Sequence, residues 1–259
     1  MTGVNAVSGN GRLPRTPRLA RVLAMLAAHS LRELRALGYP AGQGRGSLSL
    51  ARATLRFIYS NLAGGFMILS WYVAGMPSRT TPLFLSRFEL LGFAAACAPQ
   101  GGLWLEFGVY QGASINFLAT RAPGEVVGFD SFEGLPADWT RSFPKGSFAL
   151  KGSPPTVAGN VRLVKGMFGE TVRPFLEARP GTMVSLAHVD SDLYSSAKEV
   201  LSLIASRMGP GTVVVFDEFA TGYPDDEARA FREFLRDQPR RFRYLGGSLN
   251  GSVAVQFLT

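Results

Sequence analysis

The stretch "LWLEFGVYQGAS", residues 103–114, decides the fold. Its first five residues, 103–107, are mostly apolar and predict a short buried strand. Gly108 and Gly112 then permit a tight turn, in which backbone groups can approach a ligand closely before a helix predicted at 114–120. The spacing is G-x-x-x-G rather than the G-x-G-x-x-G of dinucleotide enzymes, so an ordinary glycine turn carries equal weight as an alternative.

The same alternation of strand and helix continues to the end of the chain. Further strands are predicted at 126–130, 161–166, 183–190, 212–219 and 252–258, and helices at 170–178, 195–207 and 225–237. Another helix is predicted before them, at 83–97, and the stretch 236–243 is interpreted as a solvated helix end and turn. Short apolar strands separated by helices predict an α/β fold, a mostly parallel Rossmann-like sheet with helices on both faces. Because ligands bind at the carboxyl ends of the strands in such sheets, the residues that follow each strand are the candidates for chemistry.

An acid closes the second of these strands, in "GFDSFEGLP", residues 128–136. Asp130 lies roughly 20 residues after the glycine turn, where a carboxylate can accept hydrogen bonds from the hydroxyls of a ribose. Aspartate also caps helices and turns, which is the alternative explanation. The glycine turn and the acid together favour a nucleoside-binding site.

Four more acids follow two other strands. Asp190 and Asp192 close one of them, in "HVDSDLYSS", and Asp217 and Glu218 close the other, in "GTVVVFDEF". Neighbouring strand ends would bring these carboxylates into one crevice, where repulsion raises their pKa values unless a cation neutralises them. All-oxygen ligands favour Mg²⁺, Mn²⁺ or Ca²⁺ over zinc. The alternatives are that an aspartate caps the helix that begins near Ser195, or that the acids are merely solvated.

Two other residues have a structural explanation. A lone histidine on a strand, such as His188, is more often a hydrogen-bonded core residue than a ligand, and we assign it no role. Cys97, the single cysteine, lies among alanines and is interpreted as a packing residue. With one cysteine no disulfide can form within the chain, which suits a reducing compartment.

The positive charge of the chain is concentrated at its beginning. The 259 residues carry a formal net charge of +8, and residues 1–56 alone contain nine arginines and one acid, Glu33. The remainder therefore balances to zero. A basic arm of this kind can contact acidic lipid, nucleic acid or an acidic partner. We find no motif that reads RNA or DNA, which argues against nucleic acid.

Residues 57–78 contain no charged side chain. The length suits a spanning helix of roughly 20 residues, but polar and small residues such as Asn61 and Gly64 interrupt it. We expect a buried or oligomer-forming helix, with an interfacial contact or a membrane span as alternatives. Residues 1–17 are polar and basic and lack the apolar centre of a cleavable signal peptide. We therefore expect a cytoplasmic protein, with peripheral membrane contact through residues 1–78 and a homo-oligomer both open.

Taken together, the four quoted motifs "LEFGVYQGAS", "GFDSFEGLP", "HVDSDLYSS" and "GTVVVFDEF" resemble the class I S-adenosylmethionine-dependent methyltransferases. The closer similarity is to the macrocin, mycinamicin and novobiocin-type O-methyltransferases. It covers about residues 83–259, a domain preceded at 1–82 by a basic tail and helical extension. The resemblance implies a seven-stranded sheet with the last strand antiparallel, S-adenosylmethionine and Mg²⁺ as cofactors, and methyl transfer to a hydroxyl of a small-molecule or sugar-type acceptor.

The resemblance also implies roles for individual residues. Those implied to hold the cofactor are Glu106, Gly108, Tyr110 and Ser114 at the methionine part, Asp130 at the ribose with Ser131 alongside, and Phe168 near the adenine, with Gly112 completing the turn. Those implied to hold Mg²⁺ are Asp190, Asp217 and Glu218, with Asp192 as the general base. Glu218 departs from the family pattern, which has an aspartate there, and its longer side chain could change the metal geometry or reach the ion through water.

Two other functions are compatible with the residues. An NAD-dependent oxidoreductase uses a similar sheet, but the missing G-x-G-x-x-G and the acids at two strand ends argue against it. A membrane-associated protein that binds S-adenosylmethionine without transferring its methyl group is the other alternative, and the segment 1–78 keeps it open.

Overall fold

The computed structural model describes residues 81–220 and 227–259, which form an eight-stranded sheet and the helices around it. The strands are β1 (Leu83–Phe84), β2 (Leu103–Phe107), β3 (Val126–Asp130), β4 (Val161–Lys165), β5 (Val184–Val189), β6 (Val213–Phe216), β7 (Phe242–Ser248) and β8 (Val253–Phe257). The helices are α1 (Arg87–Cys97), α2 (Ala113–Ala119), α3 (Phe168–Glu177), α4 (Tyr194–Ile204) and α5 (Glu227–Asp237), and a 3₁₀ turn, Ala205–Arg207, extends α4.

The strand order is β1-β7-β8-β6-β5-β2-β3-β4. β8 runs antiparallel to both of its neighbours, whereas every other pair of neighbouring strands is parallel. Parallel neighbours joined through helices are the arrangement that the alternating sequence pattern predicts. The predicted fold, a Rossmann-like methyltransferase sheet with its last strand antiparallel, is therefore confirmed.

Two strands differ from the element-by-element prediction. The two-residue β1 adds an edge strand beside β7, and the helix predicted from residue 83 begins only at Arg87, where the Ser86 hydroxyl caps it by accepting from the N–H of Glu89. β7 lies partly in the stretch 236–243 that we expected to be a helix end and a turn. Its sequence "FRYLGGS" lacks the apolar pattern of a strand because it contains two adjacent glycines. Glycine is required at 246, since an added Cβ would lie 2.7 Å from the Phe84 ring.

The sheet is buried on both faces. Apolar side chains of α3, α4 and α5, such as Phe175, Val200 and Phe231, form one core with the strands. Leu90 of α1 and Ile115 of α2 belong to the other core. Burial on both sides explains why the central strands read as continuous apolar runs rather than as alternating ones.

This topology places the predicted functional residues at the carboxyl ends of neighbouring strands. β2 lies between β3 and β5, and β6 lies beside β5, so the carboxyl ends of these four parallel strands are adjacent. In the part of the chain that the structure describes, no helix has the length and apolarity needed to cross a membrane. The uncharged segment 57–78 and the basic arm lie outside the described residues.

Candidate active site

The glycine turn after β2 touches the acidic loop after β5. Gly108 has a φ of +92°, and a Cβ on it would lie 1.8 Å from the carbonyl oxygen of Asp190. The N–H of Asp190 donates to the carbonyl of Phe107 at 2.9 Å. The positive φ and the close backbone approach together explain why glycine stands here. The turn and the acids therefore form one continuous site.

Asp130 fastens the glycine turn to the end of β3. Its Oδ2 accepts from the N–H groups of Val109, at 2.8 Å, and Tyr110, at 2.9 Å. Its Oδ1 accepts from the N–H of Phe132 at 2.7 Å. The turn-capping role that the sequence left as an alternative is thus present in the structure. Oδ1 retains acceptor capacity for a ribose hydroxyl, because a carboxylate offers about four lone-pair sites.

Glu106 and Ser114 meet beneath the turn. Glu106 is fully buried, and its Oε1 accepts from the Ser114 hydroxyl at 3.1 Å while its Oε2 lies 2.9 Å from Nδ1 of His188. The structure thus brings these two predicted cofactor residues together, with their polar atoms directed at each other and at His188. The histidine is a hydrogen-bonded core residue, as its position on a strand predicted.

The remaining predicted cofactor residues surround the turn. Tyr110 has a φ of +47°, and Gly112, with a φ of +83°, precedes the first residue of α2. The Ser131 hydroxyl accepts from the N–H of Glu133 at 3.1 Å. Phe168 begins α3, and its ring packs edge-on against that of Phe107 with centroids 5.7 Å apart. These residues therefore line the ends of β2, β3 and β4.

The predicted acids converge beside the turn. One oxygen each from Asp190, Asp192 and Glu218 lie within 4.8 Å of one another, and an equivalent group joins Asp190 to His188 and Asp217. Glu218 Oε2 is buried and has no hydrogen-bond partner among the residues that the structure describes. Asp192 adopts the left-handed conformation, with a φ of +60°. Strained backbone of this kind is concentrated at functional sites.

Arg87 is a site residue that sequence reasoning missed. It stands at the start of α1, and its Nη1 lies 2.7 Å from Asp217 Oδ2 and 3.6 Å from Asp190 Oδ2. The Ser252 hydroxyl donates to the other oxygen of Asp217 at 3.1 Å. Of the three predicted metal ligands, Asp217 is thus the one that is already paired with a positive charge, that of Arg87. An arginine in the first turn of a mostly apolar helix was the signal available in the sequence.

The pKa values of the acids follow from this unequal neutralisation. Burial, followed by repulsion from Asp217, raises the pKa of Asp190 to about 7. Burial and the neighbouring aspartates also raise the pKa values of Asp192 and Glu218 well above their ordinary values. Burial would do the same for Asp217, but the positive charges of Arg87 and His188 outweigh it and lower that pKa. Three acids therefore share a surplus of negative charge that a divalent cation would relieve.

Glu227 is a second site residue that sequence reasoning missed. It opens α5, is fully buried, and accepts from the N–H of Glu218 at 3.0 Å and the N–H of Ser191 at 3.5 Å. The sequence carried a signal for it, since Glu227 stands four and seven residues before the buried Phe231 and Phe234. An acid on the apolar stripe of a helix must have a buried partner.

A row of aromatic rings leads from the turn into the connection between β3 and β4. The ring of Tyr110 packs against Phe148 at 5.5 Å, Phe148 stacks on Phe143 at 5.3 Å, and Phe143 stacks on Trp139 at 5.4 Å. Stacked aromatic pairs stabilise such a connection beyond the area they bury. This segment supplies an apolar wall next to the glycine turn.

Comparison with known proteins supports the same interpretation. Residues 105–219, from β2 to the loop after β6, match the family described as Methyltransferase domain. No curated protein matched the sequence.

Several solved structures are similar to this chain. The calicheamicin methyltransferase CalS11 is 22% identical, with a TM-score of 0.53 over 97% of this chain and 99% of that chain. The O-methyltransferase NovP is 19% identical, with a TM-score of 0.47 over 67% of this chain and 80% of that one. The O-methyltransferase TomG from Streptomyces achromogenes, solved with S-adenosylmethionine, is 23% identical, with a TM-score of 0.44 over the same shares.

Residues 105–219 thus match a methyltransferase domain. The antiparallel last strand of the sheet, and the glycine turn joined to an acid at the next strand end, are the features that the resemblance to S-adenosylmethionine-dependent methyltransferases implied. The resemblance stated from the sequence is confirmed by this domain match and by the fold that the chain shares with CalS11.

Proposed function

We propose that the protein transfers the methyl group of S-adenosylmethionine to a hydroxyl of a small-molecule or sugar-type acceptor, with help from a divalent metal ion and an aspartate base. One observation carries the proposal. The acid-bearing loop after β5 packs directly on the glycine turn, with Asp190 against Gly108, so that groups able to activate a hydroxyl adjoin the cofactor turn.

The residues around the turn fit the cofactor. Asp130 would accept from a ribose hydroxyl through the free capacity of its Oδ1, and Phe168 would contact the adenine. Glu106 is fully buried and bonded to Ser114, so it would act by fixing the shape of the turn that receives the methionine part. When bound, S-adenosylmethionine supplies a methyl group on a positively charged sulfur, which already makes it a good electrophile. The protein must therefore align and activate the acceptor oxygen.

The acids fit a divalent cation. Asp190, Asp217 and Glu218 would hold it, and the unpartnered Glu218 Oε2 together with the raised pKa of Asp190 is the environment that such an ion relieves. Mg²⁺ at this place would supply positive charge that lowers the pKa of an acceptor hydroxyl. Arg87, which pairs with Asp217, competes with the ion for that carboxylate.

Asp192 would remove the proton. Asp192 would accept the hydroxyl proton as the acceptor oxygen bonds to the methyl carbon and the sulfur–methyl bond breaks, and S-adenosylhomocysteine would then leave. The burial and crowding that raise the pKa of Asp192 also make it a better proton acceptor than a solvated aspartate. The left-handed backbone at Asp192 sets the direction of this side chain independently of Asp190.

The decisive variant is Asp192→Asn. Cofactor affinity, measured by calorimetric titration with S-adenosylmethionine and S-adenosylhomocysteine, should stay within about twofold, because Asp192 makes no hydrogen bond to the turn among the described residues. Turnover of a panel of glycosides and phenols should fall by about 100-fold or more, the usual contribution of a general base. Asp237→Asn, the same change on the exposed end of α5, is the matched control and should leave both quantities unchanged. Normal turnover in Asp192→Asn would remove the base assignment.

The metal is tested in the same experiments. Titration and turnover with Mg²⁺ and with EDTA should show a metal effect on turnover rather than on cofactor affinity. Cofactor binding without turnover of any acceptor in either condition would favour the alternative, a protein that binds S-adenosylmethionine without transferring its methyl group.

A further inference from the structure

Glu227 joins the two loops that carry the predicted metal ligands and base. Its Oε1 accepts from the N–H of Ser191, which stands between Asp190 and Asp192 in the chain. Its Oε2 accepts from the N–H of Glu218 at 3.0 Å. One fully buried side chain thus connects the loop after β5 with the loop after β6.

We propose that Glu227 is a positioning residue that sets the spacing between these two loops and thereby the distance between the metal ligands and the base. The inference rests on the function proposed above. Glu227 has no assigned place in that chemistry, since its two oxygens face backbone N–H groups rather than the acid cluster. Among the described residues, two clusters of side chains could hold a metal ion, and Glu227 belongs to neither of them.

The contacts are not those of an ordinary helix cap. The N–H groups that Glu227 accepts from lie 36 and 9 residues away in the chain, outside the first turn of α5. A cap satisfies the free N–H groups of its own helix. Glu227 is instead anchored in α5 and accepts hydrogen bonds from two loops outside that helix.

A carboxylate is the group that this arrangement requires. Both contacts come from donors, so both atoms at the end of the side chain must be acceptors. A glutamine would direct its NH₂ group at one of the two N–H groups. Burial, followed by the nearby charges of Asp190 and Asp217, makes a negative charge unfavourable here and raises the pKa of Glu227. The two loop contacts are the benefit that offsets this cost.

The test compares Glu227→Gln with Glu233→Gln. Glu233 lies on the same helix but pairs with Lys198 and Arg229 and accepts from the hydroxyl of Tyr194 on α4, with no hydrogen bond to either loop among the described residues. Amide hydrogen exchange is measured on the metal-free full-length proteins, and Mn²⁺ and S-adenosylmethionine affinities are measured by calorimetry. Kinetics with an active acceptor separate kcat from KM.

Glu227→Gln should accelerate exchange about tenfold in peptides covering 186–193 and 213–220, since each loop contact is a hydrogen bond to a charged group. Mn²⁺ affinity should fall by about 10- to 100-fold, as it does when a group that orients metal ligands is lost. The loss in turnover should fall on kcat, and cofactor affinity should change less than twofold because Asp130 holds the turn. Glu233→Gln should show none of these effects.

Unchanged exchange and unchanged Mn²⁺ affinity in Glu227→Gln would overturn the inference, as would equally accelerated exchange throughout the sheet. If the wild-type protein binds no Mn²⁺, the metal part of the proposed function fails, and the metal-free exchange alone supports or overturns the positioning role. If Glu227→Gln does not fold, Glu227→Asp replaces it. Its side chain is one methylene shorter, and exchange should then rise in one of the two peptides only.

Discussion

At the scale of single residues, two aspartates at neighbouring strand ends have pKa values shifted in opposite directions. Asp190 and Asp217 are both placed in the site by the ends of β5 and β6. Arg87 lies 2.7 Å from Asp217 but 3.6 Å from Asp190, and the pKa falls for the first and rises to about 7 for the second. Close positive charge, rather than burial itself, therefore decides which carboxylate stays ionised.

The contribution of His188 to stability is expected to depend on pH. Burial alone would lower its pKa, but the carboxylates of Asp217 and Glu106 outweigh burial and raise the pKa to about 10. A raised pKa in the folded state stabilises the protein fully below the ordinary pKa of about 6.5, and this contribution is lost as pH rises through about 10. His188→Asn should therefore cost about 3 kcal/mol or more near pH 6, because it leaves buried carboxylates without their partner.

Urea denaturation of wild-type protein and His188→Asn between pH 6 and pH 10 measures this contribution. The difference in unfolding free energy should shrink as pH rises, because the wild-type protein loses the charge of His188 while the variant has none to lose. A difference that stays constant with pH would show that His188 acts through packing alone.

At the scale of elements, the sequence predicts best where burial on both faces imposes a continuous apolar run. β3 and β5 lie where the sequence predicts them because their apolar side chains enter both cores. β7 was missed, since Gly246 and Gly247 leave no apolar pattern there. The small size of Gly246 instead accommodates the Phe84 ring, a contact that the local sequence does not specify.

The candidate site divides in the same way. The acids directly follow strands, so the sequence could predict that they lie together at the carboxyl ends of neighbouring strands. Arg87 and Glu227 come from α1 and α5, and their contacts with the acids depend on how those helices pack. Long-range packing of this kind is not encoded in local spacing, which explains why the neutralising arginine and the buried glutamate were not predicted.

The close contact between the glycine turn and the acidic loop can be tested by substitution of Gly108. Gly108→Ala should destabilise the fold by at least about 2 kcal/mol, because its backbone is left-handed and the added Cβ would meet the Asp190 carbonyl at 1.8 Å. Affinity for S-adenosylmethionine should fall with it, since the turn cannot move away from β5 without changing shape. Urea denaturation and calorimetric titration measure the two effects.

Gly101→Ala is the matched control for this turn. Gly101 precedes β2, and a Cβ there would have no atom within 4 Å. The change should alter stability by no more than about 0.5 kcal/mol, as most surface substitutions do. If Gly108→Ala behaved like this control, the close contact between the turn and the acidic loop would not matter for either stability or cofactor binding.

At the scale of the whole molecule, charge divides the chain into two parts. Residues 1–56 carry nine arginines and one acid, which equals the net charge of +8 of the entire chain. Residues 57–259 are therefore neutral overall, and several of their acids lie together at the candidate site. The composition of the basic arm suits attraction to an acidic surface.

We therefore predict that the full-length protein sediments with vesicles that contain phosphatidylserine and not with vesicles of phosphatidylcholine alone. Binding should weaken from about 0.1 M to about 1 M salt, where the screening length falls from about 10 Å to about 3 Å. Each arginine near an anionic surface contributes about 1 kcal/mol, so changing Arg12, Arg15, Arg18 and Arg21 to glutamine should abolish most of the binding.

The matched control for the arm removes the same charge from exposed positions of the folded part, at Arg162, Arg173, Arg232 and Arg241. This control should sediment like the wild-type protein, because these side chains lie on a domain whose charges already balance. The opposite result, binding lost in the control and kept in the arm variant, would assign the contact to the folded part. Binding that ignores both salt and lipid charge would instead point to the uncharged segment 57–78, since apolar contacts are not screened by salt.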